Sequence, residues 1–149
     1  MKTIEYKSTK GGKFVINLPK GFKKVKLPFY QKWINALEGG KYRQCVGTLC
    51  ETNNKKLTYC CLGVLSKVQG RLKRDKNNEM VDHSDGYTGD LNSNNPSFKA
   101  LQGRGEFPTG VCVQKNDDTI PVYDLVECND DLRLSFKDIA KIIKTIFKK

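Results

Sequence analysis

Apolar and polar positions alternate from the start of the chain. Ile4 and Tyr6 stand between polar neighbours, a TKGGK turn follows, and Phe14-Val15-Ile16-Asn17-Leu18 resumes the strand pattern. Period-two alternation on both sides of a glycine turn predicts an N-terminal β-hairpin. Pro19 and Gly21 punctuate the chain, and Leu27-Pro28 opens the next element. Phe29, Tyr30, Trp33, Ile34 and Leu37 fall at i, i+1, i+4, i+5 and i+8, which predicts a helix over 28–38. Pro28 suits its first turn and Gly39-Gly40 its C′ end. Trp33 lies on the apolar face and is expected in the core rather than as a ligand platform.

Tyr42 to Cys50 reads as a strand, ETNNKK as a turn and Leu57 to Cys60 as the return, a second hairpin. Cys60, Cys61, Val64, Leu65 and Val68 repeat the helical spacing and predict a short buried helix over 61–69, ended near Gly70. Gly63 inside it costs about 1 kcal/mol against Ala, which close packing on a neighbouring element would explain. Residues 71–110 are dense in Asn, Asp, Ser and Gly and read as one long loop, either functional or mobile. Val111 to Val113, the turn Asn116-Asp117-Asp118 and Ile120 to Leu125 read as a third hairpin, with Pro121 marking an edge strand. Asn129-Asp130-Asp131 leads to Ser135, an N-cap with Asp138 at N3. Phe136, Ile139, Ile142, Ile143 and Ile146 form the stripe of a helix over 135–147. Lys144, Lys148 and Lys149 suit the negative end of its dipole. The expected fold class is α+β, antiparallel hairpins packed with about three helices, in a single domain over 1–149.

Composition narrows the class. A length of 149 residues suits one domain, and a chain this long buries enough surface to fold without disulfides. The apolar share of 38% and charged share of 29% describe a lean, polar domain rather than a disordered tail. No apolar run approaches the roughly 18 residues that span a membrane, and no apolar leader opens the chain, so neither membrane nor secretion is expected.

Charge adds a partner class. The formal charge is +11 and lies wholly in the basic first half. Residues 1–75 carry 17 basic against 4 acidic residues, and residues 76–149 carry 10 against 12. Lys10, Lys13, Lys20, Lys23, Lys24 and Lys26 form its densest stretch. This points to nucleic acid, a nucleotide or an acidic protein, though a lysine-rich surface equally serves solubility. Lysine outnumbers arginine, which argues against bidentate, sequence-specific readout of DNA.

The cysteines Cys45, Cys50, Cys60, Cys61, Cys112 and Cys128 are expected reduced. Their spacing lacks the pairs of a zinc site, and small buried thiols are the expectation, with no metal and no cofactor. His83, in the acidic DHSD segment, has no local support as the base of a Cys–His pair. Phosphate-loop and hydrolase motifs are absent, so no catalytic residue is assigned and the chain is not expected to be an enzyme. GRGE at 103–106 is a glycine turn able to present Arg104 to a phosphate.

Three segments carry a resemblance. They are W-x-x-A-L-x-x-G-x-Y-x-Q (Trp33 to Gln44), Gly47-x-Leu49 with YCCLGVL (Tyr59 to Leu65), and N-D-D followed by S-F-x-x-I-A (Asn129 to Ala140). Together the pattern resembles a family of small uncharacterised bacteriophage proteins. In that family a glycine commonly precedes the Ser-Phe helix, where Leu132-Arg133-Leu134 stands here. The resemblance implies an accessory protein in the host cytoplasm. One such class is the anti-defence sponge, which sequesters a cyclic-nucleotide or ADP-ribose-type immune signal. A sponge needs cations for phosphates, an aromatic face and a rigid pocket. The candidate ligand contacts are Lys41, Arg43 and Arg104 for phosphate, Tyr42, Tyr59 or Tyr87 for stacking, and Gln44 and Asn129 for base or ribose edges. Gln44 and Asn129 would equally serve backbone groups at a hairpin end and a helix start. The alternatives are sequence-tolerant nucleic-acid binding and docking on an acidic host protein. A homo-oligomer stays open.

Overall fold

The N-terminal alternation folds as a hairpin. β1 (Lys2–Lys7) and β2 (Lys13–Leu18) pair antiparallel, with Lys2 opposite Leu18 and Tyr6 opposite Phe14. The structure is a computed structural model, and it describes residues 1–82, 104–115 and 120–149. The later elements are β3 (Val25–Lys26), α1 (Tyr30–Glu38), β4 (Arg43–Gln44), β5 (Cys50–Asn53), β6 (Lys56–Tyr59) and α2 (Cys61–Val68). Then come β7 (Leu72–Arg74), β8 (Met80–Asp82), β9 (Cys112–Gln114), α3 (Leu125–Asp130), α4 (Phe136–Ile146) and β10 (Phe147–Lys148). The fold is a small α+β domain.

β2 lies between β1 and β9, and a bridge from Val113 to Val122 extends this sheet. β6 lies between β4 and β5, β7 pairs with β8, and β3 runs parallel to β10. α1 packs on both α2 and α4. Phe14 and Ile16 of β2, Trp33 of α1 and Ile139, Ile142, Ile143 and Ile146 of α4 are fully buried together. The Trp33 indole donates to the Cys61 carbonyl at 2.9 Å, which satisfies its polar atom inside the core.

Four sequence expectations are corrected. Tyr42 to Cys50 is not one strand: only Arg43–Gln44 is extended, parallel to β6, and β5 starts at Cys50. The 71–110 segment is not one loop, because β7 and β8 form a hairpin within it. Leu72 and Val81 are buried there, and Asp75 accepts from the Asn77 and Glu79 amides at the turn, both at 2.9 Å. Residues 83–103 lie outside the described residues, as does the 116–119 turn of the third hairpin. Ile120 to Leu125 contributes a single bridge rather than a strand. α3 starts at Leu125, N-capped by Asp124, whose carboxylate accepts from the Glu127 amide at 2.7 Å. Last, α1 begins after Phe29, which sits in the left-handed region at φ 62°.

The β5–β6 turn is tighter than ETNNKK suggested. Asn53 pairs with Lys56, and both connecting residues are left-handed, Asn54 at φ 50° and Lys55 at φ 64°. This is a two-residue turn of the kind that prefers Asn-Gly. Lys55→Gly removes a side-chain penalty of about 1–2 kcal/mol and adds some unfolded-state entropy. A net gain of about 0.5–1 kcal/mol is expected, read as a higher urea midpoint at unchanged slope.

Candidate functional site

β2 ends at Leu18, and the Phe22 amide donates to the Pro19 carbonyl at 3.2 Å with Gly21 at φ 75°. That geometry is a type II turn, which requires positive φ at its third residue. It sets Lys20 and Phe22 beside the last turn of α4. The other end of the hairpin is tied to the start of α4. Asp138, fully buried, accepts from Ser8 Oγ at 2.7 Å and from the Thr9 amide at 3.1 Å. Midway, Tyr6 and Thr145 hydroxyls meet at 2.9 Å.

Between hairpin, turn and α4 opens a cavity of about 640 Å³. Ile4, Tyr6, Leu18 and Phe22 give it an apolar, aromatic floor, and the exposed Lys2, Lys20, Lys24 and Lys144 stand at its mouth. Lys144 pairs with Glu38 at 2.7 Å, an exposed contact that water and salt weaken. Among the described residues, Lys2, Lys20 and Lys24 have no ion pair. The Tyr6 ring stacks on Phe14, with centroids 5.4 Å apart, while Phe22 has no ring partner among the described residues.

The sequence-predicted contacts lie elsewhere. Lys41 and Tyr42 lead into β4, which is Arg43 and Gln44, with Lys41 Nζ 5.6 Å from the Tyr42 ring centre. Tyr42 meets Tyr59 edge-on at 5.2 Å, and Tyr59 is buried. Arg43 is exposed. Gln44 donates to Asn129 Oδ1 at 2.7 Å and to the Leu134 carbonyl at 2.8 Å, and the fully buried Asn129 donates to the Cys45 carbonyl at 2.8 Å. The two amides thus lock β4 to α3, the backbone-serving alternative. They border a small polar pocket of about 290 Å³ that also takes in Lys10 and Arg133. Arg104 stands apart, its Nε 3.6 Å from the capping Asp124 carboxylate. Tyr87 and His83 lie outside the described residues.

The residues around the larger cavity carried a signal in the sequence. Phe22 is interleaved with Lys20, Lys23 and Lys24, an aromatic inside the densest basic stretch. That stretch indicated an anionic partner, but Lys2, Tyr6 and Lys144 join it only through the tertiary docking of the hairpin.

All six cysteines are free, and Cys50, Cys60, Cys61 and Cys128 are buried. Burial pushes the Cys50 thiol up to about 11 and the Cys60 thiol up to about 12, and raises Cys45, Cys61 and Cys128 as well. Thiols so shifted hold little thiolate at neutral pH and are poor nucleophiles. Alkylation by iodoacetamide at pH 7.5 is therefore expected to spare these buried cysteines until denaturant is added. Folded pKa values above the unfolded value near 9 give stability that is complete below pH 9, and it is lost as pH climbs through about 11 and 12. Among the described residues, no three Cys, His, Asp or Glu side chains gather as a metal site.

A family described as a domain of unknown function (DUF8296) matches residues 24–147. That match includes the Lys144 side of the cavity and leaves the hairpin and the Pro19–Phe22 turn outside it. No curated protein and no solved structure matches the chain.

Proposed function

We propose, from the premise that the chain belongs to the family described as a domain of unknown function (DUF8296), that it binds a small anionic nucleotide and holds it unchanged. The observation that carries this reading is the cavity with an aromatic, apolar floor and four lysines at its mouth. A volume near 640 Å³ falls within the roughly 300–1,000 Å³ of small-molecule sites. A base covers the floor and stacks on Phe22, and its phosphates meet ammonium groups. The described lining supplies no carboxylate, imidazole or thiol to move a proton or attack the ligand. The resemblance to bacteriophage proteins makes host immune-signalling nucleotides the first class to screen, with the protein as a sponge for one of them.

A thermal-shift screen over cyclic di- and trinucleotides, cyclic ADP-ribose isomers and plain nucleotides tests this. A true ligand at a hundredfold excess over Kd adds about 2.7 kcal/mol, or roughly 5–10 °C. It must also be recovered intact after heat denaturation. No shift with any compound removes the reading, and a cleaved ligand makes the protein an enzyme. Lys20→Ala and Lys24→Ala are expected to weaken binding at an unchanged unliganded Tm, because both residues are exposed and without an ion pair among the described residues. If Arg43→Ala weakens binding instead, the ligand sits at β4.

A second reading, sequence-tolerant nucleic-acid binding, rests on the parallel pairing of β3 with β10. It sets Lys26 beside Lys148 and extends the basic surface past the cavity. Mobility shifts at two salt concentrations separate the readings, since a polyanion loses affinity steeply with salt.

A further inference from the structure

The hydrogen-bonding groups around the cavity say what kind of nucleotide it can tell apart. Thr145 Oγ1 donates its one proton to the Lys141 carbonyl at 2.8 Å. The contact between Tyr6 and Thr145 at 2.9 Å therefore has Tyr6 as its donor. Both hydroxyl protons are spent inside the protein. The remaining polar side chains are lysines, donors on flexible stems with no acceptor. The Phe22 amide at the turn is closed on Pro19. No described lining side chain is an amide, carboxylate or guanidinium, the fixed groups that read a base edge in paired hydrogen bonds. A site rejects an analogue strongly only where its own buried polar groups would be left unpaired, and these are paired already.

Resting on the nucleotide reading above, we infer that this site selects ligands by phosphate charge and by the presence of a planar ring, and accepts all bases nearly alike. Its ligand class is the nucleotide with two or more phosphates. Three lysines without an ion pair among the described residues, and a fourth shared with Glu38, reward each added phosphate. The apolar floor and the Phe22 ring reward any base, because every base has a π-face. A site built so takes up nucleotides as a class rather than one of them.

The test is calorimetric titration of the full chain at one low salt concentration. The probes are adenosine mono-, di- and triphosphate, the triphosphates of guanosine, uridine and cytidine, and tripolyphosphate. Affinity is expected to rise roughly threefold or more per phosphate. The four triphosphates should agree within about threefold, and tripolyphosphate should bind at least about tenfold more weakly. Phe22→Ala should bring the triphosphates down toward tripolyphosphate. A preference of about thirtyfold for one base, or equal affinity for mono- and triphosphate, overturns the inference while leaving nucleotide binding standing. Tripolyphosphate binding as tightly as adenosine triphosphate overturns it too, since the ring then contributes nothing. If no probe binds and the thermal screen is blank, the nucleotide reading itself has failed.

Discussion

Gly63→Ala should destabilise the protein by about 3 kcal/mol, although alanine is the better helix former. In an isolated helix the exchange would gain about 1 kcal/mol. Here α2 lies hard against the backbone of Leu49. A Cβ on Gly63 would fall inside the van der Waals sphere of the Leu49 carbonyl oxygen and 2.8 Å from its carbonyl carbon. That oxygen cannot swing away freely. It accepts from the Cys60 amide at 3.1 Å, and Leu49 is fully buried. The helix is pinned as well, since Cys60 caps it by accepting from the Gly63 amide at 3.4 Å. Overpacking a core costs about 1–3 kcal/mol where side chains can shift, and more where backbone must. Urea unfolding is expected to show a lower midpoint with an unchanged slope. Equal or greater stability in the alanine variant would mean that α2 and Leu49 do not approach so closely.

That glycine was legible in the sequence because it stands alone in an otherwise helical pattern. The C-terminal helix was legible for a related reason: Phe136 and its isoleucines keep one face over eleven residues, and Ser135 with Asp138 marks its start. Shorter elements left weaker traces. α3 has six residues, less than two turns, and its sequence continues the strand-like run from Ile120. Its start was nonetheless written in Asp124 and Glu127, a cap and its third residue. β7 and β8 have three residues each, too few for a period to emerge from a polar stretch. Arg133, within the Leu132-Arg133-Leu134 segment ahead of the Ser-Phe helix, occupies the left-handed region at φ 55°, a conformation its residue type does not announce.

The cavity was legible as charge but not as place. Lys20 and Lys24 were visible in the basic stretch, yet local sequence does not say which surface they face. Lys2 and Lys144 are 142 positions apart and share a mouth because the hairpin docks on α4. The Gln44–Asn129 bond spans 85 positions in the same way. Side-chain type suggested a ligand contact there, and tertiary pairing spends the Gln44 Nε2 donors and the Asn129 amide on holding the fold.

The docking of the hairpin rests on Asp138, which makes it the second large effect. Its carboxylate is fully buried at the third position of α4, where negative charge also favours the helix start. It accepts from Ser8 Oγ at 2.7 Å and from the Thr9 amide at 3.1 Å, with Lys141 Nζ 3.9 Å away. Asp138→Ala leaves the half-buried Ser8 hydroxyl and the amide of the exposed Thr9 without their acceptor, each a loss of about 1 kcal/mol because water can partly replace it. With the favourable charge at the helix start lost as well, a fall of about 2–3 kcal/mol is expected, with Asp138→Asn losing roughly half as much because one amide oxygen still accepts. The loss should be local as well as global. Amide exchange in β1 should speed up more than exchange in α2, because the Ser8–Thr9 end of the hairpin is released while the core behind Trp33 keeps its packing. Ligand affinity should drop at least about tenfold in the alanine variant, although Asp138 does not line the cavity, because the hairpin supplies the floor and Lys2. That pairing of lower stability with lower affinity separates Asp138 from Lys20, whose loss should leave the unliganded Tm in place. An Asp138→Ala protein that keeps its hairpin protected and its nucleotide shift intact would show that the carboxylate does not hold the hairpin on α4.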